Sequence, residues 1–335
     1  MSRTQGEVDP PIMRAWTQYV YGPVDVLSLS RNVRPAPKAG EVLVRVRTTS
    51  VTTADWRIRA AAFPGGLWLA GRLMMGLLAP RTPTRGMEFA GDIEAVGEGV
   101  TKWGVGDNVF GMVEHGAHAE YLVASQDGCL LPMPATLSDQ QATALPFGGI
   151  CSLVFLRDVA KVKPGQRMLI VGASGGVGAY AVQIAKKLGA HVSGVASTQN
   201  QQFCRDLGAD EMIDYTTASP LDGDQTYDLI FDTVGKVSYA QGRTRLKEGG
   251  LFLPLNFGLA DAVSLLMNKV RGRSDLILHV NGDRAEDLQT VLDWVSDGAV
   301  RPVIDTVYPF ETIQDAYAHV ERRSRAGAVL VQVAS

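Results

Sequence analysis

The 335-residue sequence predicts an α/β protein of two parts, a β-rich lobe and a doubly wound parallel sheet. Three observations predict it. The stretch EVLVRVRTTSV at Glu41–Val51 alternates apolar and polar residues, as a half-buried strand does. From Gly165 onward, short apolar runs alternate with segments of helical periodicity, the order of βαβ units. At Arg167–Gly178, RMLIVGASGGVG, a strand pattern runs directly into a glycine-rich turn and then a helix pattern.

The β-rich lobe is read from Glu41–Val51 and from further short strands at Phe89–Val96, Asn108–Val113 and Ala119–Ala124. Turns such as Gly97-Glu98-Gly99 and Gly104-Val105-Gly106-Asp107 separate them, which fits an antiparallel, barrel-like arrangement. In the second part the strand Arg167–Gly172 precedes a helix over Gly176–Leu188. Val177, Ala181, Ile184, Ala185 and Leu188 form its apolar stripe, and Gly189 caps it. Strand His191–Ala196, helix Gln201–Leu207 and strands Met212–Tyr215, Asp228–Thr233 and Gly250–Leu255 follow, with a helix around Ser238–Leu246. The chain closes with helix Ala285–Val295, strand Val303–Val307, helix Thr312–Glu321 and strand Ala328–Val333.

Composition narrows the function. A net charge of −3 argues against a broad nucleic-acid surface, which needs clustered Lys and Arg. Cys129, Cys151 and Cys204 are too far apart for a CxxC motif, and their odd number argues against a disulfide framework, so a reducing, cytoplasmic setting fits. The N-terminal MSRTQGEVDPP is polar and does not read as a signal peptide. No apolar run is long enough to be a transmembrane segment, about 18 residues or more. The nearest, Phe63–Pro80, is broken by Arg72 and internal glycines.

The glycine turn carries the clearest chemistry. Small residues at Ala173, Ser174, Gly175, Gly176, Val177 and Gly178 permit a tight turn and close approach of a pyrophosphate, and the helix start offers free N–H groups and a positive dipole end. The cofactor is therefore expected to be a nicotinamide dinucleotide. An acidic residue at the end of the second strand would bind the ribose 2′-hydroxyl of NAD(H). Here the segment is Val195-Ala-Ser-Thr-Gln-Asn200, without a carboxylate. Ser197, Thr198 and Asn200 can donate to a 2′-phosphate, which favours NADP(H), with weak discrimination because no Arg or Lys is present.

These pieces, with Gly86-Met-Glu-Phe-Ala-Gly91, Lys163-Pro-Gly165, Leu207–Tyr215, Asp232-Thr-Val-Gly235 and the closing Ala326-Gly-Ala-Val-Leu-Val-Gln-Val, resemble the zinc-free quinone oxidoreductase (zeta-crystallin-like) branch of the medium-chain dehydrogenase/reductase superfamily. The resemblance spans nearly the whole chain. It implies a GroES-like substrate domain at residues 1–138 and 283–335, a Rossmann cofactor domain at residues 139–282, a cleft between them, and a homodimer. Thr233, Val234 and Gly235 would lie under the nicotinamide. Tyr215 would lie near the adenosine end, or simply pack in the core. The family's zinc enzymes carry Cys, His and a third ligand where this chain has Thr52, Met87 and Phe147, so no metal is expected. His115 and His118 sit on a glycine-rich turn without a third ligand, which reads as a solvated loop.

Without a Lewis acid, reduction of a quinone or an α,β-unsaturated carbonyl loses less than alcohol oxidation does. Thr52 is the candidate hydrogen-bond donor, ordered by Asp55; the plainer readings are a strand-end hydroxyl and a helix N-cap at Asp55. Related reductases often have Asn at position 52, and some quinone reductases have Tyr where this chain has Arg57. Trp56, Phe147 and Trp68 are expected to wall the pocket for a small apolar substrate. Phe63–Pro80 is read as a hydrophobic lid, with a core-packed loop and a membrane-surface contact as alternatives. The overall expectation is an NADPH-dependent reductase of quinones or enones. An enoyl-thioester or other carbonyl reductase and a non-catalytic NADPH-binding protein stand as alternatives.

Overall fold

The structure, a computed structural model, describes residues 10–334. The polar segment read as lacking a signal sequence falls largely at 1–9, outside the described residues.

The chain begins with an antiparallel ribbon, β1 (Ile12–Thr17) and β2 (Ser28–Val33). Neither strand has strict alternation, and β2 is mostly polar, so periodicity does not reveal them. The long strand β3 (Glu41–Val51) follows. Helices α1 (Thr53–Ala60) and α2 (Trp68–Met75) lie between it and β4 (Glu88–Val96). Then come β5 (Asn108–Met112), β6 (Tyr121–Ser125) and β7 (Cys129–Pro132). Helices α3 (Asp139–Thr143) and α4 (Pro146–Leu153) lead through a wide helical turn at Val154–Val159 to β8 (Arg167–Val171).

From β8 the units alternate: α5 (Gly178–Lys187), β9 (His191–Ala196), α6 (Gln201–Asp206), β10 (Glu211–Asp214), β11 (Tyr227–Asp232), α7 (Tyr239–Arg243), β12 (Leu246–Pro254) and α8 (Leu259–Val270). The chain ends with α9 (Ala285–Ser296), β13 (Ile304–Pro309), α10 (Ile313–Glu321) and β14 (Ala328–Gln332).

Two main sheets result. The five-stranded sheet has the order β10-β9-β8-β11-β12, all parallel, so the order reverses at β8. A ligand crevice is expected at the carboxyl ends of the strands beside that switch point. The seven-stranded sheet has the order β13-β14-β3-β4-β5-β7, with β6 also on β3. The last two strands thus return to the first lobe, where β14 pairs antiparallel with β3.

The two lobes are clasped at the crevice. Tyr180 on α5 is fully buried; its hydroxyl donates to Ala144 O at 2.8 Å and accepts from Val303 N at 3.2 Å. Within the cofactor lobe Ser152 Oγ donates to Val177 O at 2.9 Å, and between the lobes Gly327 N donates to Ser174 O at 2.9 Å. Gly148 lets α4 reach the glycine turn, since a Cβ there would lie 2.2 Å from Gly176 O.

Candidate active site

A cleft of about 720 Å³ opens between the lobes. Its floor is the turn between β8 and α5. Gly172 has φ +83°, a left-handed conformation that glycine adopts without strain. No side chain caps α5; Ala179, Tyr180 and Ala181 N already donate to Gly175 O and Val177 O, so the amides left for a ligand are those of Gly176, Val177 and Gly178 at the very start of the helix. Asn200 Nδ2 donates to Ser174 Oγ at 3.2 Å and ties the turn to the end of β9.

Of the residues expected at the site, Thr52, Phe147, Ser174, Gly175, Gly176, Val177, Ser197, Asn200, Tyr215, Thr233 and Val234 line the cleft. Ala173 and Gly178 sit behind it as the packing of the turn, and Gly235 supplies a φ of +75° in the turn after β11. Asp232 organises that turn: its carboxylate accepts from the N–H groups of Val234, Gly235, Lys236 and Val237 at 2.7–2.9 Å.

Several expectations are corrected. Trp68 is 52% exposed and does not line the cleft, and none of Phe63–Pro80 does; Phe63 instead packs on Gly71 within the segment. Trp56 lies behind the wall, packed on the core of the β-rich lobe with the Arg323 guanidinium 5.0 Å from its ring. Thr198 is turned away, its hydroxyl donating to Asp214 Oδ2 at 2.5 Å. A carboxylate therefore does stand beside the end of β9, supplied by β10. Hydrogen bonds from Thr198 and Thr216 hold the Asp214 carboxyl below its ordinary range, so it is ionised. His118 is buried, not solvated: its Nε2 pairs with Ser50 O at 2.8 Å and Tyr317 OH lies 3.3 Å from its Nδ1. His115 is exposed.

Thr52 and Asp55 are a reciprocal cap for α1. Thr52, not Asp55, is the N-cap. Its hydroxyl donates to Asp55 Oδ2 at 2.6 Å and accepts from Asp55 N at 3.1 Å. Asp55 Oδ1 also accepts from Gly86 N at 3.1 Å. The hydroxyl that faces the cleft thus has its proton engaged by Asp55.

Sequence reasoning missed the cations. Arg57, Lys236, Arg322, Arg323 and Arg325 all line the cleft. They come from three distant segments, and no linear spacing marks them. Arg325 stands over the glycine turn: its Nη2 is 3.5 Å from where a Cβ on Gly176 would be, and donates to Thr53 Oγ1 at 2.8 Å. Its Nη1 is buried without a protein partner. An orphaned guanidinium N–H above a phosphate-type turn fits the pyrophosphate of a dinucleotide. Arg57 bonds Asn256, and burial first, then the nearby Arg323, pulls its pKa down to about 10.

Glu88 is the other missed residue. It lines the cleft at 3% exposure, accepts from Ser50 Oγ, and accepts from Phe147 N at 2.7 Å. Burial pushes its pKa up to about 7 against these hydrogen bonds. Between the ordinary 4.5 and about 7 the folded protein holds a proton that the unfolded chain has released, so stability falls as pH rises through that window. Glu88→Gln removes the ionisation and keeps an acceptor for Phe147. At pH 8 it is expected to be more stable than the parent by up to about 3 kcal/mol, at about 1.4 kcal/mol per pKa unit. At pH 4.5 the two should match. Urea midpoints at the two pH values check this, and a difference that does not change with pH would contradict it.

The zinc positions of the resembling enzymes hold a hydroxyl bonded to Asp55, a thioether at Met87 and a phenyl ring at Phe147. Among the described residues, no three His, Cys, Asp or Glu side chains cluster in a way that could hold a metal ion. The three cysteines are buried free thiols, each pushed up to about 12 by burial.

Known proteins share the two-domain architecture. The alcohol dehydrogenase GroES-like domain family matches residues 38–135, and the zinc-binding dehydrogenase family matches residues 207–331. The chloroplast envelope quinone oxidoreductase homolog of Arabidopsis thaliana is 28% identical over 89% of this chain and 91% of its own length. The chloroplastic NADPH-dependent alkenal/one oxidoreductase of the same plant is 28% identical over 96% of this chain and 80% of its own. The structure of the quinone oxidoreductase from Coxiella burnetii superposes with a TM-score of 0.85 at 26% identity, covering 96% of this chain and all of that one. A GroES-like lobe, a five-stranded parallel sheet and a crevice at its switch point define a medium-chain dehydrogenase/reductase. The chain is an NAD(P)H-dependent oxidoreductase with the two domains of that superfamily, and the relatives it matches along most of its length are quinone and alkenal/one oxidoreductases.

Proposed function

We propose that the protein reduces quinones or α,β-unsaturated carbonyls with NADPH and without zinc. The observation that carries this reading is the donor set of the cleft: a phosphate turn under Arg325, with Thr52 and Phe147 on the lining and Met87 packed against the core where a catalytic zinc would need ligands. Thioether and phenyl groups are not ligands for zinc.

In this reading residues 139–282 hold the cofactor, and residues 1–138 and 283–335 frame a small apolar substrate. The dinucleotide, when bound, supplies the hydride. The chain's own part is orientation. Ser174–Val177 and Arg325 take the pyrophosphate, Thr233 and Val234 support the nicotinamide end, and Ser197 and Tyr215 receive the adenosine ribose. Phe147 forms the apolar wall. Thr52 and Asp55 act by fixing the start of α1 at that wall. The exchangeable protons beside them are those of Ser50 and Glu88, and the oxygen of the reduced substrate takes its proton from this pair or from solvent.

The preference for NADPH rests on Ser197 at the end of β9, and Asp214 keeps it modest. A cytoplasmic location accords with three free buried thiols, and a homodimer with the family.

The test is NADPH oxidation against panels of quinones, enones, enoyl thioesters and alcohols, with and without a chelator, and with NADH in parallel. The expected result is turnover of quinones or enones that chelation does not change, with tighter NADPH binding. Asp214→Asn should widen the NADPH preference by several-fold. Zinc-dependent alcohol oxidation would overturn the metal argument. Preference for thioesters would replace the substrate class, and binding without turnover across the panels would replace the enzymatic reading.

A further inference from the structure

The cleft is lined with charge of one sign. Against Arg57, Lys236, Arg322, Arg323 and Arg325 the lining holds a single acidic side chain, Glu88, whose proton burial retains up to about pH 7. The pyrophosphate accounts for Arg325, which stands over the glycine turn. It does not account for Arg57 and Arg323.

These two guanidiniums flank the Trp56 ring, with their central carbons 6.0 and 5.0 Å from its centroid. Arg57 Nη1 donates to Asn256 Oδ1, and Asn256 Nδ2 donates to Thr233 O at 2.9 Å, so the side chain is pinned at the carboxyl ends of β11 and β12. Among the described residues its other edge, Nε and Nη2, has no hydrogen-bond partner, and the Arg323 guanidinium has neither a hydrogen bond nor an ion pair. The Arg323 backbone is held at φ +55°, a left-handed conformation that residues other than glycine rarely adopt. No carboxylate offsets the pair: burial first, then Arg323, pulls the Arg57 pKa down. Like charges side by side without a counter-ion destabilise the empty protein, and an arriving anion relieves this.

Position along the sheet says which anion. The strand order is β10-β9-β8-β11-β12. Ser197, at the end of β9, faces the 2′-phosphate, and the turn after β8 faces the pyrophosphate. Asn256 follows the end of β12, on the other flank of the switch point. Three strand spacings separate β9 from β12, about 14 Å. A dinucleotide whose phosphates lie at β9 and β8 presents its nicotinamide, which carries no anion, toward β11 and β12. An anion that meets Arg57 and Arg323 therefore belongs to the second ligand of the cleft. The free Nε–Nη2 edge of Arg57 is a fork that takes a carboxylate through two parallel hydrogen bonds.

We propose that Arg57 and Arg323 form an anion subsite at the nicotinamide end of the cleft, and that the substrate is an acidic one, an apolar enone or quinone that carries a carboxylate. Its apolar part lies on Phe147. The reduction of such a substrate rests on the reductase reading above; the subsite for an organic acid does not.

The test is calorimetric titration of the full chain, saturated with NADP+, with benzoylpropionate and with its methyl ester, which share a skeleton and differ in charge. The acid is expected to bind at least about tenfold more tightly than the ester, and added salt should narrow the difference. Arg57→Gln, which keeps a donor for Asn256, and Arg323→Gln should each lower the acid-to-ester ratio about tenfold, with Arg57→Lys between parent and Arg57→Gln. The same pair is then measured in turnover with NADPH and benzoylacrylate: hydride goes to the carbon β to the ketone and a proton to the α carbon, giving benzoylpropionate and NADP+. The acid should have the higher kcat/KM through a lower KM, and each Gln variant should reduce that advantage. The ester is the reference in every variant, so a loss of folding lowers both values and leaves the ratio, and the comparison in the parent needs no variant. Equal binding of acid and ester by the parent overturns the proposal, as does binding of neither. So does a fall in NADPH affinity in the Gln variants with the acid-to-ester ratio intact, because it assigns both cations to the cofactor. Preferential binding of benzoylpropionate without turnover of benzoylacrylate leaves the subsite standing and removes only the reductase reading.

Discussion

Gly178→Ala is expected to destabilise the protein by at least about 3 kcal/mol, the scale of a clash in a close-packed core, and to weaken dinucleotide binding more than a hundredfold. A Cβ at this position would lie 2.0 Å from Gly172 O, 2.8 Å from Gly172 C and 2.9 Å from Ala173 Cα. All three are backbone atoms, so no side chain can rotate to make room. The turn cannot yield either, because Gly172 N and Ala173 N both donate to Val195 O, at 3.1 and 2.9 Å. The clash is relieved only by moving α5 off β8. Residues Gly178 through Ala185 of that helix are buried, so the movement opens the core and also takes the helix N-terminus away from the cofactor phosphates. Gly175→Ala is the control. Its Cβ would meet nothing nearer than Gly172 O at 3.4 Å, so it should fold with nearly the parental Tm. Thermal unfolding and NADPH fluorescence titration of the two variants provide the check, and a Gly178→Ala protein with parental Tm and affinity would refute the packing argument.

That glycine was legible in the sequence because the turn is local. A strand, a tight turn and a helix follow one another within a few residues, and each has its own compositional mark. Strand β9 is read residue for residue for the same reason. The rest of the site is assembled from distant segments. Arg325 is brought toward Arg57 by the return of β14 to β3, and Lys236 comes from the turn after β11 in the other sheet, an assembly that no spacing along the chain encodes. Asp214 was overlooked because the cofactor rule looks at the end of the second strand, and this carboxylate arrives there from the third. Asp55 was read as an N-cap when Thr52 caps and Asp55 sits at the third helical position; both residue types suit both places, and only the backbone decides. Trp68 misled for a different reason. Burial is the usual fate of a tryptophan, and here its ring is exposed, with the Arg72 guanidinium 5.3 Å from its centre. Helix α8 gives no start signal because Gly258 has no side chain with which to cap it, and its apolar stripe faces outward.

Arg325→Met is expected to separate binding from stability, lowering NADPH affinity about a hundredfold while leaving the unliganded protein as stable as the parent, or more so. The guanidinium keeps some exposure into the cleft, yet Nη1 is shut off from solvent and has no partner. Burial pulls its pKa down from 12.5 to about 10, against the pull of Asp305, Glu88 and Asp55. A folded pKa below the unfolded one means that folding disfavours the charge. At neutral pH the cation therefore lowers stability by at most about 3 kcal/mol, at about 1.4 kcal/mol per unit, and that penalty fades only as pH rises from about 10 toward 12.5. Methionine fills much of the same volume without the charge, at the loss of the bond to Thr53 Oγ1. With a dinucleotide present the sign reverses, because the orphaned N–H gains a phosphate oxygen and the ion pair forms away from bulk water. Arg325→Lys should fall between the two, since an ammonium keeps the charge but not the fork of donors. Unfolding curves with and without NADPH measure both quantities on the same samples: the shift that NADPH produces should shrink sharply in Arg325→Met. A variant that loses stability without cofactor and keeps its NADPH affinity would make Arg325 a packing residue and remove the cation from the phosphate site.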